Sequence, residues 1–267
     1  MSTGVVALYG LGAMGWPIAQ RLQQQGAEVL GFDADADLQA RWRQRASSEA
    51  SALHDADVVM ICVTDEAASR QVLQQQLPHW RAGALVVELG SVSHAWALQA
   101  AAACHQAGLR YADAPLSGGV TGAADGTLIA MVGAQAADLP ALYAALAPLA
   151  AQTVHLGPPG TGQLCKMANQ LAIAGVAAGL AQAQAFSREV ALDFNAVIEV
   201  LAGGTAASTQ LHRQRGVLVQ PGNHALTTFA WLQKDLALCQ QASPSPLPLA
   251  ELWQAWWQSQ GPDRDPP

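Results

Sequence analysis

The chain has 267 residues, 51% of them hydrophobic and only 12% charged, with a formal net charge of −7. That length supports one large domain or two smaller ones, and an acidic balance with no basic patch excludes nucleic acid as an expected partner. The charge fraction is well below the roughly 25% of an ordinary domain, which predicts a surface partly covered by another subunit. Met1-Ser2-Thr3-Gly4 carries no basic stretch and the apolar run after it is short, so no signal peptide is expected. Cys62, Cys104, Cys165 and Cys239 are widely spaced, with no CxxC and no zinc-like spacing. They read as free thiols of a cytoplasmic protein. The apolar run over 171–186 is short for a membrane span and lacks interfacial anchors, so no membrane is expected.

In chain order, Val5-Val6-Ala7-Leu8-Tyr9 reads as a buried parallel strand. It runs into Gly10-Leu11-Gly12-Ala13-Met14-Gly15, a GxGxxG, followed by an amphipathic helix over 14–25 and a second strand over 27–32. Asp33 closes that strand, 23 positions after Gly10. A GxGxxG between strand and helix, with an acid about 20 residues on, is the fingerprint of a dinucleotide-binding βαβ unit. The first glycine allows the tight turn, the second admits the pyrophosphate, and the third lets helix and strand pack closely. The helix N-terminus then faces the phosphates with free N–H groups. Asp33 is placed to accept a ribose hydroxyl and to repel a 2′-phosphate, which favours NAD over NADP. Arg41 and Arg43 follow closely and leave NADP open.

The alternation continues with a strand over 57–63, a helix over 66–76, a strand over 84–89 and a helix over 94–107. Ligands of such sheets lie at the carboxyl ends of strands. Cys62, Val63, Thr64 and Ser91 therefore fall on the cofactor rim, although ordinary strand ends and a helix cap give the same residues. A strand over 109–112 leads to a glycine-rich loop, Asp113-Ala114-Pro115-Leu116-Ser117-Gly118-Gly119, and then a strand over 128–133. Ser117, Gly118 and Gly119 expose backbone N–H groups that suit a small carboxylate; a plain turn has the same glycine content. A helix over 138–150 and a strand over 154–156 close the first half.

Gly160-Thr161-Gly162 opens the longest helical stretch, expected over about 162–190 and buried almost all round. Lys166, Asn169 and Gln170 stand at i, i+3 and i+4, so they share one face. Polar groups on one face of an apolar helix either find partners or line a cleft. Beyond them the chain reads as all helical, with helices over 193–202, 209–219, from about 234, and over 249–258. Trp253, Trp256 and Trp257 read as core or subunit interface. Residues 262–267 read as a frayed tail. The predicted organisation is α/β: a Rossmann dinucleotide-binding domain over 1–160 and an all-α domain over 161–267, joined by the long helix.

These motifs together make the chain resemble the β-hydroxyacid dehydrogenase family, the group that includes 3-hydroxyisobutyrate dehydrogenase and tartronate semialdehyde reductase. The resemblance runs from Val5 to about Leu238 and rests on four motifs in order. They are the GxGxxG at Gly10, the Asp113–Gly119 stretch with Gly126-Thr127-Leu128, Gly160-Thr161-Gly162 with Lys166 and Asn169, and Lys234-Asp235-Leu236. It implies NAD(P)-dependent oxidation of a small hydroxy acid in homodimers or homotetramers. It implies Lys166 as the catalytic residue with Asn169 beside it, and Ser117, Gly118, Gly119 and Gln170 on the substrate. It also implies Ser91 at the nicotinamide end and Lys234 closing on the cofactor side. Two departures stand out. Gln170 replaces a second asparagine usual in the family, and the stretch after Ser259 ends where the family continues into a further helix, which widens the choice of substrate.

Hydride transfer from an alcohol needs a base for the hydroxyl proton and, in reverse, an acid for the alkoxide. A lysine does both when burial brings its amine toward neutrality. No metal is called for. Relatives that reduce imines generally replace the lysine, so Lys166 speaks against that chemistry. A phosphosugar enzyme would want cations near the substrate loop, and positions 113–133 contain no Lys or Arg. A non-catalytic dinucleotide reader is disfavoured by the intact Lys166 and Asn169.

Overall fold

The computed structural model describes residues 4–45, 53–220 and 229–259; the tail read at 262–267 lies outside them. The chain divides into two compact units, Met1–Lys166 and Met167–Pro267.

The first unit is built on one eight-stranded sheet. Its strands are β1 (Val5–Tyr9), β2 (Glu28–Phe32), β3 (Val58–Ile61), β4 (Leu85–Glu88), β5 (Arg110–Asp113), β6 (Leu116–Ser117), β7 (Leu128–Ala134) and β8 (Ala150–Gly157). The order is β2-β1-β3-β4-β5-β7-β6, with β8 also paired to β7. The first five strands are parallel, whereas β7 runs antiparallel to β5 and β6. The connecting helices are α1 (Gly15–Gln24), α2 (Ala36–Arg45), α3 (Glu66–Gln76), α4 (His94–Gln106), α5 (Gly119–Asp125) and α6 (Leu139–Leu146).

Side-chain alternation along a strand sends successive residues to opposite faces, and the two faces form separate cores. Leu8, Met60, Leu85 and Val87 join Ile18, Leu22 and Leu142 on one side. Ala7, Tyr9, Val59, Ile61 and Val86 join Trp80 and Trp96 on the other. Burial on both faces is why these strands read as continuous apolar runs rather than alternating ones. The chain passes from β1 to β2 on one side and returns to β3 on the other. That reversal opens a crevice at the carboxyl ends of β1 and β3, where sheets of this kind bind ligands.

Several sequence expectations shift. The 113–127 stretch is not one loop, because β6 and the short α5 form within it. The helix expected over 138–150 stops at Leu146, and Ala150 already belongs to β8. Pairing of β8 along β7 captures those residues, and tertiary pairing overrides the helical propensity of alanine.

The second unit is helical among its described residues: the greater part of α7 (Thr161–Glu189), then α8 (Phe194–Gly203), α9 (Thr209–Leu218), α10 (Leu232–Ala242) and α11 (Pro248–Ser259). By length and composition α7 is able to cross a membrane. Here its buried positions Met167, Ala174, Ala177 and Ala181 pack with Ile198, Leu211, Phe229, Leu236 and Trp253. The expectation that α7 is buried all round is corrected. Burial follows a single stripe with spacings of three and four, while Ala168, Ala172, Gly175, Gly179 and Phe186 are exposed. Alanine and glycine make both faces apolar in composition, so periodicity could not reveal the stripe.

Ala174 is fully buried in that stripe. Ala174→Leu keeps helix propensity nearly constant and overpacks the core, which costs about 1–3 kcal/mol. The expected result is a lower urea midpoint; an unchanged midpoint would show that α7 is not packed there.

Candidate active site

The turn 10–15 joins β1 to α1. Gly10 has φ +97°, and a Cβ on Gly10 or Gly15 would strike the Cys62 or Gly10 carbonyl respectively. A Cβ on Gly12 would instead meet open space, and no side chain caps α1. Glycines at 10 and 15 thus close the turn, while Gly12, exposed Ala13 and Met14 present an uncapped helix start. This arrangement fits a dinucleotide pyrophosphate at Gly12 and the α1 N-terminus. Leu11 N–H donates to Asp33 Oδ2 at 2.5 Å, and Asp35 N–H donates to Oδ1 at 2.8 Å. Gln39 braces the same place, accepting from Asp33 N and donating to Gly31 O. Arg41 lies over the Trp16 ring at 5.0 Å.

The rest of the rim lies past β3 and β4. Cys62 follows β3 directly, and burial, reinforced by the Glu88 charge, pushes its thiol up to about 12. It acts there as packing rather than as a nucleophile. Val63 and Thr64 lead into α3, whose cap Asp65 accepts from Ala68 N. Ser91 sits in the short connection from β4 to α4. Ser93 caps α4 by accepting from Trp96 N.

The start of α7 is anchored from below. Asp113, the last residue of β5, is fully buried. Its Oδ1 accepts from Gly160 N at 2.5 Å and its Oδ2 from Gln163 N at 2.8 Å. Burial raises its pKa to about 6 from the ordinary 3.8, with the two backbone donors and His94 pulling the other way. Lys166 lies about one turn beyond Gln163 on α7. The Lys166 ammonium donates to Leu116 O at 2.9 Å. That carbonyl precedes Ser117, Gly118 and Gly119, and Gly118 has φ +139°. Lys166 and the 116–119 stretch, 50 residues apart in sequence, are therefore neighbours in the first unit.

In the second unit, Asn169 Nδ2 donates to Gln170 Oε1 at 2.8 Å, and Gln170 Nε2 donates to Asp235 Oδ2 at 2.5 Å. Gln170 is only 1% exposed. Both amide atoms of Gln170 are thus engaged within this unit, Oε1 by Asn169 and Nε2 by Asp235. Lys234 is exposed on α10. Among the described residues no His, Cys, Asp and Glu group forms a metal site.

Sequence reasoning missed the supporting residues Asp113, Gln163, Glu88 and Asp235. Polar residues at the ends of apolar strands or in a first helical turn are the only sequence signal for such roles.

Residues 5–157 match the family model for the NAD-binding domain of 6-phosphogluconate dehydrogenase. Residues 160–265 match that for the NAD-binding region of NADP-dependent 3-hydroxyisobutyrate dehydrogenase. The chain belongs to the β-hydroxyacid dehydrogenase family. A Pseudomonas aeruginosa NAD-dependent L-serine dehydrogenase is 33% identical, over 92% of this chain and 89% of that protein. The Escherichia coli 2-hydroxy-3-oxopropionate reductase is 30% identical, over 88% and 82%. A solved Mycobacterium tuberculosis 3-hydroxyisobutyrate dehydrogenase with L-serine superposes with TM-score 0.81 at 26% identity, covering 96% of this chain and 93% of that one. The chain is accordingly an NAD(P)-binding oxidoreductase of the β-hydroxyacid dehydrogenase type.

The raised pKa of Asp113 has a definite sign. Between 3.8 and about 6 the folded state holds a proton that the unfolded state has released. This group's stabilising contribution is therefore complete below 3.8 and declines as pH rises through about 6. Asp113→Asn is expected to lower Tm, because one acceptor replaces two, and to flatten its pH dependence in that window. A variant with the wild-type pH slope would show that Asp113 does not titrate there.

Proposed function

We propose that this dehydrogenase interconverts a small β-hydroxy acid and its carbonyl product, with Lys166 as general acid and base. The observation that carries this reading is the Lys166 ammonium held 2.9 Å from Leu116 O, one residue before Ser117. A carboxylate bound at 117–119 would place its β-hydroxyl within reach of that amine. When bound, the nicotinamide supplies the acceptor for the hydride leaving the alcohol carbon. Lys166, as the neutral amine, takes the hydroxyl proton while the C=O bond forms. In the reductive direction the ammonium returns that proton to the alkoxide and stabilises its charge. For Asn169 a role toward the substrate rests on the family motif alone. Ser117, Gly118 and Gly119 bind the carboxylate through backbone N–H groups and the Ser117 hydroxyl.

In this reading the cofactor is held by 10–15 at the pyrophosphate, Asp33 at the adenosine ribose, and Cys62, Val63, Thr64 and Ser91 along the rim; for Lys234 a cofactor role rests on the family motif alone. NAD is the preferred form. Asp33 stands with Asp35 and Asp37 at the end of β2, three carboxylates within five residues that oppose a 2′-phosphate. Arg41 lies over the Trp16 ring and Arg43 is exposed on α2, and the three carboxylates outnumber these two cations. The substrate class includes L-serine, 3-hydroxyisobutyrate, glycerate and 3-hydroxypropionate, each a carboxylate with a hydroxyl two carbons away. We further propose a cytoplasmic homodimer or homotetramer, on the low charge fraction and the uncovered apolar face of α7.

A panel of these acids with both cofactors tests the reading. Lys166→Ala should lower kcat by about 10²–10⁴-fold while NADH affinity stays within about twofold. Near-wild-type turnover in that variant would refute the assignment. kcat/KM should favour NADH over NADPH by at least about tenfold, and a reversed ratio would contradict the role given to Asp33.

A further inference from the structure

Gln163 occupies the first turn of α7 and is 1% exposed. Its backbone N–H goes to Asp113, while its side chain leaves its own helix. Oε1 accepts from Val92 N at 3.1 Å and Nε2 donates to Gly90 O at 2.9 Å. These two backbone atoms flank Ser91. A primary amide carries both a donor and an acceptor, so one side chain stands in for a neighbouring peptide. The rest of the stretch is fixed too: Glu88 Oε1 accepts from Gly90 N and Glu66 Oε2 from Ser93 N, both at 2.9 Å.

The topology says which part of the cofactor this stretch faces. The pyrophosphate fits at the α1 N-terminus beside β1. Asp33 takes the adenosine ribose at β2, on one side. The nicotinamide half therefore extends to the other side, over the ends of β3 and β4. The β4 end is the stretch that Gln163 holds. Lys166 lies one turn further along the same helix.

We propose that Gln163 is a positioning residue. It fixes the nicotinamide end of the cofactor site and the helical turn bearing Lys166 to the same backbone, so that both ends of the hydride and proton transfer keep one geometry. The proposal rests on the dinucleotide reading of the site but not on the identity of the hydroxy acid or on Lys166 as the base. It touches neither substrate nor cofactor, and it acts through the carbonyl of Gly90 and the amide of Val92.

The test compares NADH with ADP-ribose, which lacks the nicotinamide, by calorimetry on the full-length protein. Gln163→Met keeps side-chain length and removes both hydrogen bonds. It is expected to leave ADP-ribose affinity within about twofold of wild type and to weaken NADH by about tenfold, toward the ADP-ribose value. Unchanged ADP-ribose binding serves as the folding control. If Gln163→Met loses ADP-ribose binding as well, the same comparison is made with Gln163→Glu, which keeps the acceptor toward Val92 N and loses the donor toward Gly90 O. A selective loss for NADH in the folded variant supports the proposal. Equal loss for both ligands in both variants, or NADH binding within about twofold of wild type, overturns it. So does wild-type protein that binds NADH no tighter than ADP-ribose. Neither ligand requires turnover, so failure of the Lys166 assignment would leave this comparison intact.

Discussion

The carboxylate of Asp113, buried at the end of β5, accepts the N–H groups of Gly160 and Gln163 and so caps the first turn of α7. An ionised group in that position gains from the partial positive charge of the helix start and satisfies two of its orphan donors. Because the same residue begins the 113–119 stretch, it ties together two segments distant in sequence. A Cβ on Gly162 would collide with Asp113 and with the Met131 carbonyl, so only glycine lets the helix come this close. The contact between Lys166 and Leu116 follows from this anchorage. Burial pushes the Asp113 carboxyl up to about 6 against the pull of the same backbone donors.

Most of the buried polar groups of the first unit lie together, with Asp138, beside Arg110 at the start of β5, standing apart. Ser69, Glu88, Asp113 and Gln163 all gather near the carboxyl ends of β3, β4 and β5. Ser69 Oγ donates to Glu88, and the Trp96 indole N–H donates to Ser69 Oγ. Buried polar groups are costly unless paired, and a core built only for stability would replace them with aliphatic side chains. Their concentration lies beneath the rim proposed for the dinucleotide. The two apolar clusters on either side of the sheet carry the stability, while this polar layer carries geometry.

Much of the first unit was legible because parallel strands covered on both faces leave plain apolar runs, and because the glycines at 10, 12 and 15 follow a strand directly. The place of Asp33, directly after β2, was legible from spacing alone. The short elements in 113–127 were not, since β6 is two residues long and depends on pairing with β7. The start of β8 at Ala150 was hidden by an alanine-rich sequence that suits a helix equally well. Within the site, Lys166 stood out through the face it shares with Asn169 and Gln170, but the partners of Gln163 are backbone atoms more than 70 positions away, which no local pattern encodes. The partner of Gln170 is hidden for a related reason: Asp235 is 65 positions distant.

The account stands on Lys166 carrying the proton of the reaction. Chemical rescue measures that directly: turnover of Lys166→Ala in the presence of a series of small primary amines of increasing basicity. The account predicts that added amine restores turnover and that the rescued rate changes systematically with amine pKa, as general acid–base transfer requires. Turnover that no amine restores, in a variant still binding NADH, would contradict it and point to another residue as the proton carrier.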